Sequence, residues 1–294
     1  MHARQETMRR MALLRAAGVR QPYGDVNAKD GGYRFARSLD VDVPRELSRH
    51  DSVDDIEWQS LPDEVLVKPR WGATNRGVFA LERQRDGSHV DLLRGRRLQQ
   101  AEIRDEYRRH VEQRQISAAL IIEELLHKPG VPGSIPDDFK VYCFYDRAAM
   151  VMQRDMGRHP DPAQWRFKFW DRDWADVGSI KFTDRVDPQL GPPLHGAAII
   201  DAAERMGREL RLPFVRLDFY DTDRGAVFGE VTMAPGPPEV FTPTVDEELG
   251  RRFEIAAARL LAEDISAGRH DHLRTLADPP VGPLTTPPRD RADG

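Results

Sequence analysis

The chain has 294 residues, 39% apolar and 32% charged, with 44 basic residues against 49 acidic ones and a formal net charge of −5. That length can bury a substantial core in one large domain or two modest ones. The charges are interspersed with no long run of one sign, which argues against nucleic acid or an anionic membrane as the main partner.

A single cysteine, Cys143, excludes an internal disulfide framework and a cysteine-rich zinc site; in the run Val141–Tyr145 it reads as a small buried hydrophobe. Met11–Leu14 is too short for a secretory segment and is flanked by arginines, and no stretch approaches 18 apolar residues, so a cytoplasmic protein is expected. Only six of the 44 basic residues are lysines, at 29, 68, 128, 140, 168 and 181. Any one arginine is therefore weak evidence, and a lysine in an apolar setting is more telling.

Residues 1–20 read as an Arg-rich amphipathic helix, followed by a loop marked by Pro22, Gly24, Gly31 and Gly32. Tyr33–Leu39 is expected to be helical, 41–44 a turn, and Ser52–Trp58 a helix start capped by Ser52. Val65–Lys68 is β-branched and pairs in expectation with Val78–Leu81, an exposed helix covers 98–115, and Ala118–Leu126 is a buried strand. Phe139–Tyr145 and Ala148–Gln153 form a hairpin around Asp146-Arg147. Residues 195–211 make an amphipathic helix with Ile199, Ala203, Met206 and Leu210 at helical spacing, and 246–267 a second helix. The Pro-rich end from Asp278 reads as disordered. Antiparallel hairpins dominate, giving a mixed α+β chain.

Chemistry can sit at four places. In Val67–Val78 a strand ends in Lys68 and runs through a loop holding Gly72, Thr74 and Gly77. Phosphates need amides that can approach closely and a fixed point charge, though glycine loops of this kind also occur in ordinary hairpins. Leu120–Leu126 places an apolar strand before the pair Glu123-Glu124; an adenine could lie against it, but taken alone plain core packing explains it better. Lys140 lies inside a strand of large apolar residues and must reach an anion or solvent.

The fourth is the hairpin Val215–Tyr220 and Val227–Thr232. A three-residue loop Asp223-Arg224-Gly225 sets a register in which Asp218 faces Glu230 and Arg216 faces Thr232. These four then share one face, and Val215, Leu217, Phe219, Val227 and Val231 the other. Facing carboxylates roughly 5 Å apart at Cβ can hold a hard cation such as Mg²⁺ beside an anion-binding arginine, although a polar hairpin face is by default simply solvated.

Taken in order, these motifs resemble the ATP-grasp superfamily, and within it the TupA-like proteins associated with teichuronopeptide synthesis. Asp138-Phe139-Lys140-Val141-Tyr142-Cys143-Phe144 is similar to their Asp-Tyr-Lys-Phe-Tyr-Cys-Phe run, and Phe169–Trp174 to Phe-Tyr-Asp-x-Asp-Trp; Phe214–Tyr220 and Phe228–Thr232 complete a match over about 25–255. The resemblance implies an ATP-grasp fold of two α+β subdomains with antiparallel sheets enclosing ATP and Mg²⁺. Residues 1–60 would form an N-terminal region, 61–126 the smaller subdomain, 127–275 the larger one with the metal site, and 276–294 a disordered tail.

It further implies roles. Lys68 would hold the α- and β-phosphates under the loop, Glu124 and Leu126 would offer backbone groups to adenine, and Asp138 would take the ribose hydroxyls. Lys140 would meet the γ-phosphate, Asp218 and Glu230 would bind Mg²⁺, and Arg216 would stabilise the reacting acyl phosphate. The implied reaction is ADP-forming carboxylate–amine ligation on a saccharide or small-molecule precursor. Its partners would be ATP and carboxylate and amine substrates, with a homodimer compatible; a kinase or a non-catalytic nucleotide-binding module are the alternatives.

Two departures stand out. Thr232 occupies the place where many such ligases carry Asn, which bears on a second metal. The subgroup's early Asp-Lys-Tyr reads Asp30-Gly31-Gly32-Tyr33, with Lys29 and Arg34 beside it as replacements on which no weight is placed. Only about 60 residues precede the Lys68 strand, so a full separate N-terminal substrate domain is not expected. Arg158, His159, Arg166 and Lys168 are candidates for binding the acid substrate.

Overall fold

Two antiparallel sheets organise the computed structural model, which describes residues 26–72, 75–157, 164–180, 185–233 and 241–269. The first sheet holds β1 (Glu46–His50), β2 (Glu64–Pro69), β3 (Phe79–Arg83), β4 (His89–Asp91), β5 (Arg96–Leu98) and β6 (Leu120–Glu124) in the order β1-β6-β2-β3-β4-β5. The second holds β7 (Asp138–Phe144), β8 (Arg147–Asp155), β9 (Arg166–Trp170), β10 (Val215–Thr222) and β11 (Gly225–Thr232) in the order β11-β10-β7-β8-β9. Among the described residues four α-helices pack on them: α1 (Lys29–Ser38), α2 (Gln100–Glu112), α3 (Gly196–Leu210) and α4 (Pro243–Ser266). The helix expected over 1–20, the tail 276–294, Thr74, Arg158 and His159 lie outside the described residues.

Period-two alternation decides which face of each strand is buried. Val65 and Val67 of β2 join Phe79, Leu81 and Ile122 in a core closed by Ile103 and Tyr107 of α2, leaving Leu66 and Lys68 to the other face. In the second sheet Phe139, Val141, Leu217 and Phe219 pack against α3, whose Ile199, Ala203, Met206 and Leu210 are buried as their spacing predicts. The opposite face is apolar at Tyr142, Phe144 and Met150, where α4 covers it with Leu249, Phe253 and Leu260. Beyond the reach of α4 the same face turns polar at Asp138, Lys140 and Asp218. That change of character is where a site can form.

Several sequence expectations are corrected. Gly31 and Gly32 belong to α1 and not to a loop: a Cβ on Gly32 would stand 3.0 Å from the Val26 carbonyl oxygen and 3.7 Å from the Phe228 ring, so a small residue lets the helix approach β11 closely. Ser52 does cap, accepting from the Asp54 amide, but only a three-residue 3₁₀ turn follows before the backbone extends at Ile56. The helix expected to be exposed, α2, buries Ile103 and Tyr107. Strands β1, β4, β5 and β9 lie outside the elements expected from the sequence; the first three carry little apolar periodicity, whereas β9 alternates over Arg166–Phe169.

The β10–β11 register holds at the site for a different reason than expected. Thr222 pairs with Gly225, so the loop is two residues long, and a bulge at Gly229 restores the count so that Asp218 faces Glu230 and Arg216 faces Thr232. Below the bulge Val227 stands opposite Tyr220, and Phe228 takes the core place beside Phe219.

Candidate active site

Leu66 and Lys68 face a cleft that residues of both sheets line. Lys68 lies 2.6 Å from Oε2 of Glu123, and its ammonium donates to the Tyr33 hydroxyl at 2.8 Å, all three side chains being buried. Burial, reinforced by the charge of Glu123, pushes the Tyr33 hydroxyl well above the usual tyrosine range, so it stays neutral. Losing one partner of the buried Lys68–Glu123 pair would strand the other at a cost of about 3–5 kcal/mol.

Both ends of the glycine loop rest on Ile116. A Cβ on Gly72 would lie 2.9 Å from Ile116 Cγ2, and one on Gly77, whose φ is +67°, only 2.5 Å from Cδ1. Arg94 donates to the carbonyls of Val78 (2.8 Å) and Asn75 (3.1 Å), and the Asn75 amide reaches the Met156 sulfur at 3.9 Å. Glu123, Glu124 and Leu126 line the cleft at the exit of β6 among apolar residues such as Leu66, Ala80 and Ile135. The Glu124 side chain is engaged elsewhere, by Arg45 (2.7 Å) and Arg224 (2.8 Å).

The polar face of the second sheet is built in rows across its strands. One row runs Thr232, Arg216, Tyr142; the next Glu230, Asp218, Lys140; the third Tyr220, Asp138, Arg154. Arg216 grips Asp218 with two hydrogen bonds (2.7 and 2.9 Å) and donates to the Thr232 hydroxyl at 3.1 Å. Lys140 bridges Asp218 and Asp138, the latter at 2.7 Å. Burial alone would raise the Asp218 pKa, but Lys140 and then Arg216 hold it well below the usual carboxylate range. Glu230 is nearly half exposed; shielding from water and the charge of Asp218 raise its pKa. Asp138 Oδ1 is buried with no hydrogen-bond partner among the described residues, an unfilled acceptor in a lining residue.

No group of three or more His, Cys, Asp or Glu side chains among the described residues is gathered to hold a metal. Two carboxylates, one buried and ionised and one accessible, nevertheless suit Mg²⁺, which is usually bound through one or two protein carboxylates with phosphate and water completing its shell. The Thr232 hydroxyl is taken up by Arg216 in this arrangement.

A family model described as TupA-like ATPgrasp matches residues 9–254. The chain belongs to the TupA-like ATP-grasp family. Its fold is the α+β ATP-grasp fold. Similar solved structures include the ATP-grasp ligase PsnB complexed with a precursor variant, Mg and ADP (12% identity, TM-score 0.45, 80% of this chain and 60% of that one). A D-alanine–D-alanine ligase from Bacillus anthracis is also similar (13%, 0.48, 82% and 70%), as is the macrocyclase MdnC from Microcystis aeruginosa MRC bound with the precursor peptide MdnA (11%, 0.40, 76% and 60%). The chain thus spans about 60% of the PsnB chain it matches. No curated protein matches it.

Of the residues that the ATP-grasp resemblance singles out, Lys68, Glu123, Glu124, Leu126, Asp138, Lys140, Asp218 and Glu230 line this one cleft. Arg216 and Thr232 lie in the row beside them, and Gly72 and Gly77 bound the loop. Arg166 and Lys168 are not brought here. They share the opposite face of the sheet with Gln153 and pair with Asp155 and Asp187, and with Asp176, respectively. Tyr33, Arg154 and Tyr220 also line the cleft and went unread. Nothing in the sequence separates Arg154 from the many other arginines, and neither tyrosine stands in a pattern that points to a site.

Proposed function

We propose that the cleft binds ATP with Mg²⁺ and that the protein is an ADP-forming carboxylate–amine ligase, acting on a saccharide or small-molecule precursor. The observation that carries the reading is the single polar face on which Arg216, Asp218, Glu230, Lys140 and Asp138 meet, opposite Lys68 and the apolar exit of β6.

In this reading adenine lies against Leu66, Ala80 and Ile135, and the ribose hydroxyls donate to the orphaned Oδ1 of Asp138. Lys68 and Lys140 set the phosphate chain from opposite walls. Asp218 and Glu230 would hold Mg²⁺, which when bound neutralises phosphate charge. The carboxylate substrate attacks the γ-phosphorus, the bond to the β-γ bridging oxygen breaks, and ADP leaves. The amine then adds to the acyl phosphate and expels inorganic phosphate, leaving an amide after loss of a proton. Arg216, rigidly held by Asp218 and Thr232, is placed to stabilise the oxyanion of that second step. The protein's share is positioning and preorganised charge.

An ADP-release screen over acid and amine pairs tests the reading. The expected result is ADP formation that needs both substrates and yields an amide, lost in Asp218→Asn and Glu230→Gln. A stable phosphorylated product formed without amine would make it a kinase instead. ATP binding with no turnover across the screen would leave a binding module.

A further inference from the structure

We propose that Arg94, in the turn between β4 and β5, is a positioning residue for the nucleotide: it holds the turn Asn75–Val78 in the shape in which that turn meets the phosphates. The proposal rests on the reading of the cleft as an ATP site.

The turn does not hold itself. Asn75 and Gly77 both have left-handed backbone, at φ +58° and +67°, and the bond that closes the turn, from the Val78 amide to the Asn75 carbonyl, is long at 3.3 Å. Left-handed backbone at a residue other than glycine persists where its surroundings over-determine it. Those surroundings are Ile116, which leaves Gly77 no room for a Cβ, and Arg94.

Nη2 of Arg94 donates to the Asn75 carbonyl at 3.1 Å and Nη1 to the Val78 carbonyl at 2.8 Å. One planar fork thus spans the first and last residues of the turn. The fork is itself fixed from behind. Nη1 also donates to Oδ2 of Asp91 at 2.7 Å, and Asp91 is fully buried, its Oδ1 accepting from the Leu93 amide. The guanidinium lies 5.4 Å from the centre of the Phe79 ring. A buried carboxylate needs its cation, so Arg94 has little freedom to leave the turn.

Asn75, Val78 and Leu93 line the cleft and Arg94 does not, so it acts through the turn and not on the ligand. A trans peptide points its N–H opposite to its C=O. Holding the Asn75 carbonyl therefore aims the Arg76 amide away from Arg94, a donor set in advance for an anion. A lysine at this place could neutralise Asp91 but could not hold two carbonyls in one plane. Arg96 is the internal comparison. It approaches the same Asp91 at 3.7 Å and pairs with Glu106, with no bond to the turn among the described residues.

The test is calorimetric titration of the full chain with Mg-ADP and with adenosine, joined to hydrogen exchange over residues 75–78. Arg94→Gln should weaken Mg-ADP about tenfold while leaving adenosine within about twofold. Exchange over 75–78 should quicken, and that over 120–124 should stay as it was. Arg94→Lys should not recover the loss, and Arg96→Gln should change neither ligand. Because Arg94→Gln strands a buried carboxylate, the pair Arg94→Gln with Asp91→Asn repeats the measurement without that charge, and the same pattern is expected. Unchanged Mg-ADP affinity in both variants would overturn the proposal while the ATP reading stands. Equal losses for ADP and adenosine would also overturn it, since Arg94 would then act through the fold. So would full recovery in Arg94→Lys, which would assign the effect to charge alone. If the unaltered protein binds neither compound, the ATP reading fails and this proposal fails with it.

Discussion

Lys29, in the first turn of α1, lines the cleft at a cost to stability. Burial first, and then the like charge of Lys68, lower its pKa to about 8 from the ordinary 10.5, so the folded state is penalised for carrying its charge at neutral pH. Between these values the unfolded chain holds a proton that the folded chain has released, and stability rises with pH across that window; below pH 8 the penalty is fully present. Lys29→Met should therefore be the more stable protein at pH 7, by about 2 kcal/mol after allowing for partial exposure. The advantage should vanish by about pH 10.5. Urea unfolding without nucleotide at pH 7 and at pH 10 measures this, and a variant less stable at pH 7 would show that the ammonium has an unseen partner. Sequence reading reached Lys68, Lys140 and Asp218 because each breaks an apolar pattern. It could not weigh Lys29, which stands in a polar stretch and acquires its meaning from Lys68, 39 positions along the chain.

At the scale of elements, the β10–β11 hairpin places its carboxylates through two compensating features. The turn is one residue shorter than its sequence suggests, and the extra residue is absorbed at Gly229. A glycine is needed there because a Cβ would lie 2.8 Å from the Tyr220 ring and 3.4 Å from the Asp218 carbonyl oxygen. Gly229→Ala should push Tyr220 off its seat between the bulge and Asp138, costing about 1–3 kcal/mol of stability in the manner of an overpacked core. Nucleotide affinity should fall with it. Gly191→Ala, where an added Cβ meets nothing within 4 Å, is the matched control; equal unfolding midpoints for the two would refute the steric argument. Strands whose burial alternates, such as β2, and helices with a continuous stripe, such as α3, were legible because periodicity is local. The bulge was not, since a one-residue insertion changes pairing without changing composition. The short strands β4 and β5 were missed for a related reason: Arg96-Arg97-Leu98 carries no period, and its strand state is imposed by pairing with β4.

At the scale of the whole molecule, residues of both sheets line the cleft, and Glu124 at the exit of β6 is tied to the turn of the second sheet. Its carboxylate accepts from the Arg45 amide at 2.8 Å and guanidinium at 2.7 Å and meets Arg224 of the β10–β11 turn at 2.8 Å. Arg224 also donates to the Val43 carbonyl, and the Asp223 amide to that of His127. The sequence placed Glu124 at an adenine and the turn at a register. It could not show that the two touch, because their contact spans 100 positions and neither motif carries a trace of it. The turn that orders the strand of Asp218 therefore also ties it to the sheet that carries Lys68. Arg224 is 28% exposed and Arg45 72%, so the two contacts with one carboxylate should differ in strength. Screening leaves the exposed pair worth little, whereas the shielded one should contribute about 1 kcal/mol. Arg224→Ala should accordingly weaken ATP binding several-fold although Arg224 is absent from the cleft lining, while Arg45→Ala should barely alter it. A double-mutant cycle of Arg224→Ala with Glu124→Gln, read by ATP affinity, isolates the pair: a coupling of about 1 kcal/mol is expected. Strict additivity would mean that the sheets hold their spacing through their cores alone.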